Sequence, residues 1–451
     1  MIDLSPLRNQ TYAVMGLGKS GLAAVAALCA AGAKPIAWDD KEEKRAEAEK
    51  LGATIADLAT ADLAGVAALV LAPGIPHTLP KPHPVAARAK SLGIPIIGDI
   101  ELLIRAKPSA RIIAITGTNG KSTTTALIGH IINTSGKCAA VGGNLGAPVL
   151  LFDDASGIFV IEMSSYQLEL TPGLAAEVSI LLNITPDHLD RHGDMAAYAA
   201  VKKTVFRSPE DKNTAIIGVD DDYCRTIAAS LPKSIPMSIE TVQENGICAL
   251  SDGIIRFRGK TVFDMKDAPN LLGRHNWQNA CAAWAACHAA GLADEGIAKG
   301  LETFPGLAHR QQKLAVMGGV AYINDSKATN ADATEKALVC FNDIYWLVGG
   351  KPKSDGLADL HKYKDRIRHS FVFGDAEEAF SAYLAKYGMP FTHCGTMDVA
   401  LEKAHAMAQT AGKGVVLLSP ACASFDQFRN FEHRGEVFAE LVAKLAKGNS
   451  T

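Results

Sequence analysis

Short apolar runs alternate with longer stretches of helical period along the whole chain, the pattern of parallel strands covered by helices. Residues 12–15 predict a strand and residues 20–31 a helix. A second strand over 66–71 ends at Ala72-Pro73-Gly74, and the Pro- and Gly-rich stretch from Pro73 to Pro84 predicts an irregular loop. A new unit begins after Lys107-Pro108, with a strand over 111–115, a Gly-rich turn and a helix over 122–134. Buried strands are expected at 158–161 and 178–182, and a helix at 196–206. From 235 to 263 the pattern shortens to strands broken by turns at Ser251-Asp252-Gly253 and Arg258-Gly259-Lys260, and an Ala-rich helix follows over 276–290. Beyond His309-Arg310 a last unit has strands at 344–348, 371–373 and 415–418 and helices at 399–410 and 436–445. The reading is an α/β chain of three domains, 1–108, 109–310 and 311–451.

Composition narrows the class. At about 100–200 residues per domain, 451 residues agree with three domains. A net charge of −3 gives no footprint for nucleic acid, so none is expected as a partner. The nine cysteines are scattered and form no C-x-x-C, which argues against a disulfide framework or zinc site and for a reducing compartment. No run reaches about 18 apolar residues, and the first six residues carry no basic patch followed by an apolar run. A cytoplasmic location without a membrane span is therefore expected, as a monomer.

Two glycine loops carry candidate chemistry. The first, Gly16-Leu17-Gly18-Lys19-Ser20-Gly21, lies between a strand and a helix. Glycines let backbone approach a diphosphate, and a helix N-terminus offers free N–H groups. Asp39 follows near the spacing of a ribose-binding acid. Taken alone, the loop is open to three readings: NAD or FAD, another diphosphate nucleotide, or a structural turn.

The second loop is Thr116-Gly117-Thr118-Asn119-Gly120-Lys121-Ser122-Thr123. Its backbone N–H groups would hold ATP phosphates, Lys121 would neutralise β/γ charge, and Ser122 or Thr123 would hold Mg²⁺. Ile115 stands where a strict P-loop has its first Gly, so this is a variant loop. Glu162 closes a buried strand and is placed to bind Mg²⁺. His188, after a further strand end, suits a metal or a carboxylate, although a lone loop His is more often a hydrogen-bonding residue. Lys202 lies in a helical stretch, where an exposed lysine is the ordinary expectation.

Together these residues resemble the Mur ligase family. The second loop resembles its P-loop, and Glu162-Met163-Ser164-Ser165-Tyr166-Gln167, Pro186-Asp187-His188-Leu189-Asp190-Arg191 and Gly273-Arg274-His275-Asn276-Trp277-Gln278-Asn279 resemble further motifs. His309-Arg310, Asn324-Asp325-Ser326-Lys327-Ala328-Thr329-Asn330, Gly349-Gly350-Lys351-Pro352-Lys353-Ser354 and Ser419-Pro420-Ala421-Cys422-Ala423-Ser424 continue the series in order over nearly the whole chain. The closest resemblance is to the branch that adds D-glutamate.

The resemblance implies a UDP-binding Rossmann-like domain, a central ATPase-like domain and a C-terminal Rossmann-like domain. It turns the first loop into a UDP site: Gly16, Gly18, Lys19, Ser20, Asp39, Asp40 and Gly74 would meet the nucleotide, and Asn144, Ser164 and Gln167 the sugar side of UDP-N-acetylmuramoyl-L-alanine. Gly117, Thr118, Asn119, Gly120, Lys121, Ser122, Thr123, Asn276, Asn279, Arg310 and Asp325 would serve ATP. Lys121, His188 and Lys202 would be catalytic. Ser122, Glu162, His188 and a carbamylated Lys202 would hold two Mg²⁺ ions. Thr329, Lys353, Ser424 and Phe431 would form the D-glutamate pocket. Lys351-Pro352 departs from the acidic residue and Gly often found in the family, and Lys41, in a variable nucleotide loop, takes no role.

The implied reaction activates a carboxylate with ATP as an acyl phosphate, which the amine of D-glutamate attacks. Two unit charges at 4 Å repel by about 4 kcal/mol at an effective dielectric near 20, so the first step needs cations. The runners-up are a sibling ligase for another amino acid or a folylpolyglutamate synthase, an NAD-dependent oxidoreductase, and a nucleotide-binding protein without catalysis. The Asp-Asn-Pro-Arg motif of the diamino-acid-adding branch is missing from the sequence. The oxidoreductase reading leaves Lys121 and Glu162 without a purpose.

Overall fold

The computed structural model describes residues 1–207, 213–352 and 356–448. Its strands are β1 (Thr11–Met15), β2 (Lys34–Trp38), β3 (Thr54–Ile55), β4 (Val66–Leu71), β5 (Ile96–Ile97), β6 (Ile112–Thr116), β7 (Ala139–Gly143), β8 (Ile158–Glu162), β9 (Val178–Leu181), β10 (Thr214–Gly218), β11 (Ile235–Ser238), β12 (Ile247–Ala249), β13 (Ile254–Phe257), β14 (Lys260–Asp264), β15 (Gln312–Met317), β16 (Val320–Asn324), β17 (Ile344–Gly349), β18 (Ile367–Phe373), β19 (Phe391–Gly395) and β20 (Gly414–Leu418). Among the described residues they form three sheets.

The first sheet has the order β3-β2-β1-β4-β5 and is parallel throughout. The second runs β14-β13-β12-β11-β10-β9-β6-β8-β7. It is parallel from β12 to β7, and its far edge, β12-β13-β14, is antiparallel. The sequence pattern predicts those short strands but not their direction, which the tight turns at Gly253 and Gly259 (φ +73° and +75°) impose. The third sheet, β15-β16-β20-β17-β18-β19, is parallel except at its β15-β16 edge.

The chain forms two compact units. The first comprises residues 1–269 and 274–304 and contains the first two sheets. One apolar core runs through it, from Tyr12 and Val14 on β1, through Leu102 and Leu103 on the helix Asp99–Ala106, to Ile112 and Ala114 on β6. The second unit comprises residues 270–273 and 305–448 of the described chain and contains the third sheet. Its central strand β17 reads apolar at every position because both faces are covered: Ile344, Trp346 and Val348 enter one core, Tyr345 and Leu347 the other. The last helix, Phe431–Gly448, starts five residues before the predicted 436.

In an open parallel sheet, ligands bind beyond the carboxyl ends of the strands, where neighbouring connections depart in opposite directions. In the first sheet β1 lies between β2 and β4, and in the second β6 lies between β8 and β9. The two glycine loops follow β1 and β6 respectively. Among the described residues no helix is long and apolar enough to cross a membrane.

Candidate active site

The loop after β6 is built to approach a ligand closely. Gly117 and Gly120 hold φ of +153° and +84°, and Gly120 caps the helix Lys121–Thr134 in the left-handed conformation. A Cβ at Gly120 would lie 2.3 Å from Asn279 Oδ1, so only glycine fits there. The loop is also braced from behind. Asn183 accepts from the Asn119 N–H at 2.8 Å through its side-chain oxygen, and its backbone oxygen accepts from the Thr118 N–H at 2.9 Å. Thr118 Oγ1 lies 3.2 Å from the Tyr198 hydroxyl.

Two lysines converge on one carbonyl of this loop. Lys121 Nζ donates to Gly117 O at 2.9 Å and Thr118 O at 2.8 Å. Lys202 Nζ donates to Gly117 O at 2.8 Å. Lys202 is 1% exposed, which overturns the ordinary expectation of an exposed helix lysine. The helix Met195–Lys203 turns it inward past Tyr198, whose ring centre lies 4.7 Å from its ammonium. Burial, reinforced by the Lys121 charge, lowers Lys202 from the lysine range to about 7.

Glu162 ends β8, in register with Ile115 near the end of β6, and is likewise 1% exposed. Its Oε1 accepts from Asn144 Nδ2 at 2.8 Å, whereas its Oε2 is buried with no hydrogen-bond partner. A buried carboxylate oxygen in that state is a ready ligand for a hard cation. Among the described residues no three His, Cys, Asp or Glu side chains cluster as a protein-only metal cage. Mg²⁺ binds one or two carboxylates and fills its remaining positions with phosphate oxygens and water, and Glu162 Oε2 could supply one such carboxylate oxygen. Ser122 and Thr123 occupy the first turn of the following helix. His188 is half-exposed in a left-handed conformation (φ +52°), 3.4 Å from Asp187 and with its ring 5.0 Å from that of Tyr166.

Asn276 and Asn279 sit buried on the helix Arg274–Ala289. Asn279 accepts from Thr124 Oγ1 at 3.1 Å and donates to Asn276 Oδ1 at 2.9 Å, so the pair fastens this helix to the one beginning at Lys121. Ser164 and Gln167 form a reciprocal capping box at the start of the helix Ser165–Glu169.

The first loop differs. Gly16 (φ +87°) leaves β1, and a Cβ there would lie 2.7 Å from Ala72 Cβ and Ile75 Cδ1. Gly18 and Gly74 face open space, and Lys19 is exposed. Asp39 accepts from the Leu17 N–H through Oδ2 at 2.6 Å and from the Lys41 N–H through Oδ1 at 3.0 Å. Both carboxylate oxygens thus tie loops together, and each keeps a second lone pair for a ligand. Arg45 donates to the Asp39 and Asp40 carbonyls at 2.8 and 3.0 Å and lies over the Trp38 ring. Ser20 lines a small cleft with Gly21 and Ala72.

In the second unit, Asp325 follows β16 and is buried, accepting from Ser419 Oγ at 2.7 Å and the Gln311 N–H at 3.1 Å. Burial raises its carboxyl to about 7. Arg310 precedes β15. Thr329, Ser424 and Phe431 lie on three segments stitched by Arg434, which donates to Ser326 Oγ at 3.0 Å, Ser326 O at 2.8 Å, Cys422 O at 3.1 Å and Ala423 O at 3.3 Å. Ser326 in turn donates to Phe431 O at 2.8 Å. Lys327 places its ammonium 3.7 Å from the Phe431 ring centre. Lys351 pairs with Ala423 through two backbone hydrogen bonds, which fixes the start of the loop carrying the Lys351-Pro352 departure. Lys353 lies outside the described residues.

Sequence reasoning missed Arg434, Asn183, Tyr198 and Lys327. No local pattern marks Arg434 or Asn183, because their partners lie far away in sequence. Lys327 sits inside a quoted motif, and its closeness to Phe431 needs the fold.

Residues 10–98 match the family model for the Mur ligase MurD-like N-terminal domain, and residues 115–287 that for the Mur ligase middle domain. The chain is 48% identical to a UDP-N-acetylmuramoylalanine--D-glutamate ligase of Paramagnetospirillum magneticum, covering 100% of both chains. It is 46% identical to the protein of that name from Phenylobacterium zucineum, over 100% of this chain and 99% of the relative. Among solved structures, the UDP-N-acetylmuramate-alanine ligase MurC of Thermotoga maritima has a TM-score of 0.61 at 17% identity, covering 96% of this chain and 99% of its own. MurF of Acinetobacter baumannii has a TM-score of 0.58 at 20% identity, over 77% and 81%. Those two likenesses concern the fold; the full-length identities reach further, and by them the chain belongs to the Mur ligase family.

Proposed function

We infer that this chain is an ATP-dependent ligase that joins D-glutamate to UDP-N-acetylmuramoyl-L-alanine in peptidoglycan precursor synthesis. The observation that carries the chemistry is the meeting of Lys121 and Lys202 on Gly117 O, together with a buried Glu162 on the neighbouring strand β8 that has one unpartnered carboxylate oxygen. The full-length relatives support the choice of substrates.

A carboxylate does not condense with an amine at neutral pH, because its negative charge repels a nucleophile and oxide is a poor leaving group. The acceptor carboxylate oxygen attacks the γ-phosphorus of ATP, a new P–O bond forms and ADP leaves. The free amine of D-glutamate then attacks the acyl carbon. The tetrahedral intermediate expels phosphate, and the nitrogen loses its proton as the amide forms. Lys121 leaves the loop carbonyls for the β/γ-phosphates, and the N–H groups between Gly117 and Lys121 receive phosphate oxygens. Asn144 holds Glu162 so that Oε2 is presented.

Mg²⁺ would supply Lewis-acid charge neutralisation here, two ions being held by Ser122, Glu162, His188 and a modified Lys202. The fit of Lys202 to this role is physical. Its amine, with a pKa brought to about 7, is substantially neutral near that pH. Its lone pair can attack CO₂, lose a proton and become a carbamate. That reaction puts an anion beside Lys121 where a neutral amine or a second ammonium would otherwise stand. Thr329, Ser424, Phe431 and Lys353 are proposed to bind D-glutamate, and Arg310 and Asp325 to serve ATP. The three sheets support a functional division into 1–108, 109–310 and 311–451. A UDP-linked acceptor supports a cytoplasmic location, and the enzyme is proposed to act as a monomer.

Phosphate release from ATP, measured with the UDP-linked acceptor and each amino acid in turn, tests this reading. Release should require the acceptor and D-glutamate together. Turnover with L-lysine and none with D-glutamate would overturn the substrate assignment.

A further inference from the structure

Loop 72–79, between β4 and the helix Pro84–Ser91, touches both glycine loops' surroundings. At one end Ala72 and Ile75 fill the space against Gly16, so a shift of this loop is felt at the first cradle. At the other end it meets the four-residue helix Leu189–His192, which begins at His188. A helix this short has too few internal hydrogen bonds to hold its own direction. Its placement depends on the two side chains that anchor it, Arg191 and His192.

Arg191 is a charged side chain in an almost closed site, 7% exposed. Its Nη1 donates to Thr78 Oγ1 at 2.8 Å. Its Nη2 donates to His77 Nδ1 at 3.1 Å and lies 3.3 Å from Glu169 Oε2. The plane sits 5.3 Å from the ring of Tyr166, which in turn lies 5.0 Å from the ring of His188. His77 is lowered to about 4 by burial and by Arg191, so it is neutral and free to accept at Nδ1. On the other side of the helix, His192 Nε2 lies 2.9 Å from Ser165 Oγ. The backbone N–H groups of Arg191 and His192 both return to His188 O, at 3.0 and 3.1 Å. One guanidinium therefore joins the loop beneath the first cradle, the helix Ser165–Glu169 and the segment that displays His188.

We propose that Arg191 is a positioning residue that latches the acceptor-binding loop 72–79 to the His188 segment, so that binding of the UDP-linked acceptor at the first cradle orders the segment that displays His188. The proposal rests on the ligase reading for the identity of the acceptor. A guanidinium fork suits the task because it serves Thr78, His77 and Glu169 at once in a fixed plane; lysine keeps the charge and loses the fork.

The test uses the full chain, with Thr78→Val, Arg191→Lys and the double variant. Calorimetry with UDP-N-acetylmuramoyl-L-alanine, in the absence of ATP and metal, reads the first cradle alone. Each single variant should weaken binding about tenfold, the cost of one buried charge-assisted hydrogen bond, and the double variant should be no weaker than Arg191→Lys. In turnover, kcat and the acceptor KM should change while the KM for D-glutamate stays at its wild-type value. Wild-type affinity in both single variants, losses that multiply in the double variant, or equal rises in every KM would overturn the latch. A wild-type chain that does not bind the acceptor would sink the ligase reading instead. The latch is then judged by amide exchange of the ligand-free protein: Arg191→Lys should exchange faster in both 73–84 and 188–193, and unchanged exchange in either segment overturns it.

Discussion

The two glycine loops share a strand–loop–helix frame and differ in charge. After β1, the one basic side chain in the motif, Lys19, is exposed, and Asp39 spends both oxygens on backbone N–H groups. After β6, two lysines, one of them buried, meet on one loop carbonyl, and a buried carboxylate ends the neighbouring strand β8. The first arrangement offers shape and backbone donors, which bind a ligand without activating it. The second concentrates charge that is costly to bury unless a ligand compensates it. On the proposed function, the same fold element is a handle in one place and a reaction centre in the other, and the side chains behind the glycines decide which.

Removing charge from the second loop should have the largest effect. Lys121→Ala is expected to fold and to keep acceptor binding while ligation falls about a thousandfold, because developing phosphate charge loses its closest cation. Wild-type turnover in this variant would erase the distinction between the loops. Lys202→Ala should lose about a hundredfold, and short carboxylic acids should restore part of the activity by supplying the missing anion. Failure of every short acid to rescue would count against the carbamate.

The first loop should respond more mildly and in a different constant. Asp39→Ala is expected to raise the acceptor KM about tenfold with little change in kcat, since it loosens the Leu17 and Lys41 amides without touching the reacting atoms. Calorimetry should detect UDP and no tight NAD binding; the opposite preference would restore the dinucleotide reading.

The smallest effect concerns stability. Lys202 falls from 10.5 in the unfolded chain to about 7 when folded, so between these values the unfolded state holds more protons. In CO₂-free buffer without ligands, wild-type stability should therefore rise as pH increases from about 7 to about 10.5, and this contribution should stay flat below. Lys202→Met should remove that slope and be more stable near pH 7 by roughly 1–4 kcal/mol. Denaturant midpoints across the range measure both.

Much of this was legible in the sequence, for reasons that particular residues make clear. Strands such as Val66–Leu71 are uninterrupted apolar runs, and the loops after β1 and β6 announce themselves by glycine spacing. Glu162 was readable because an acid at the end of an apolar strand is unusual. Lys202 was not readable from residue type or period: its helix exposes Ala197 and Lys203, and burial of the lysine depends on Tyr198 and the distant Gly117 carbonyl. Arg434 and Arg191 escaped for the same reason, since every side-chain partner they have is brought by the fold. The ribose-acid reading of Asp39 came from spacing alone, which does not show that its oxygens also accept from two backbone amides.

The central claim is that the second loop activates the acceptor's carboxylate by phosphorylation. It is tested most directly by supplying UDP-N-acetylmuramoyl-L-alanine with ¹⁸O in its carboxylate, together with ATP, Mg²⁺ and D-glutamate, and analysing the released phosphate by mass. An acyl phosphate transfers one carboxylate oxygen to phosphate when the amine displaces it, so the account predicts labelled phosphate in step with amide product. Amide product accompanied by unlabelled phosphate would contradict it.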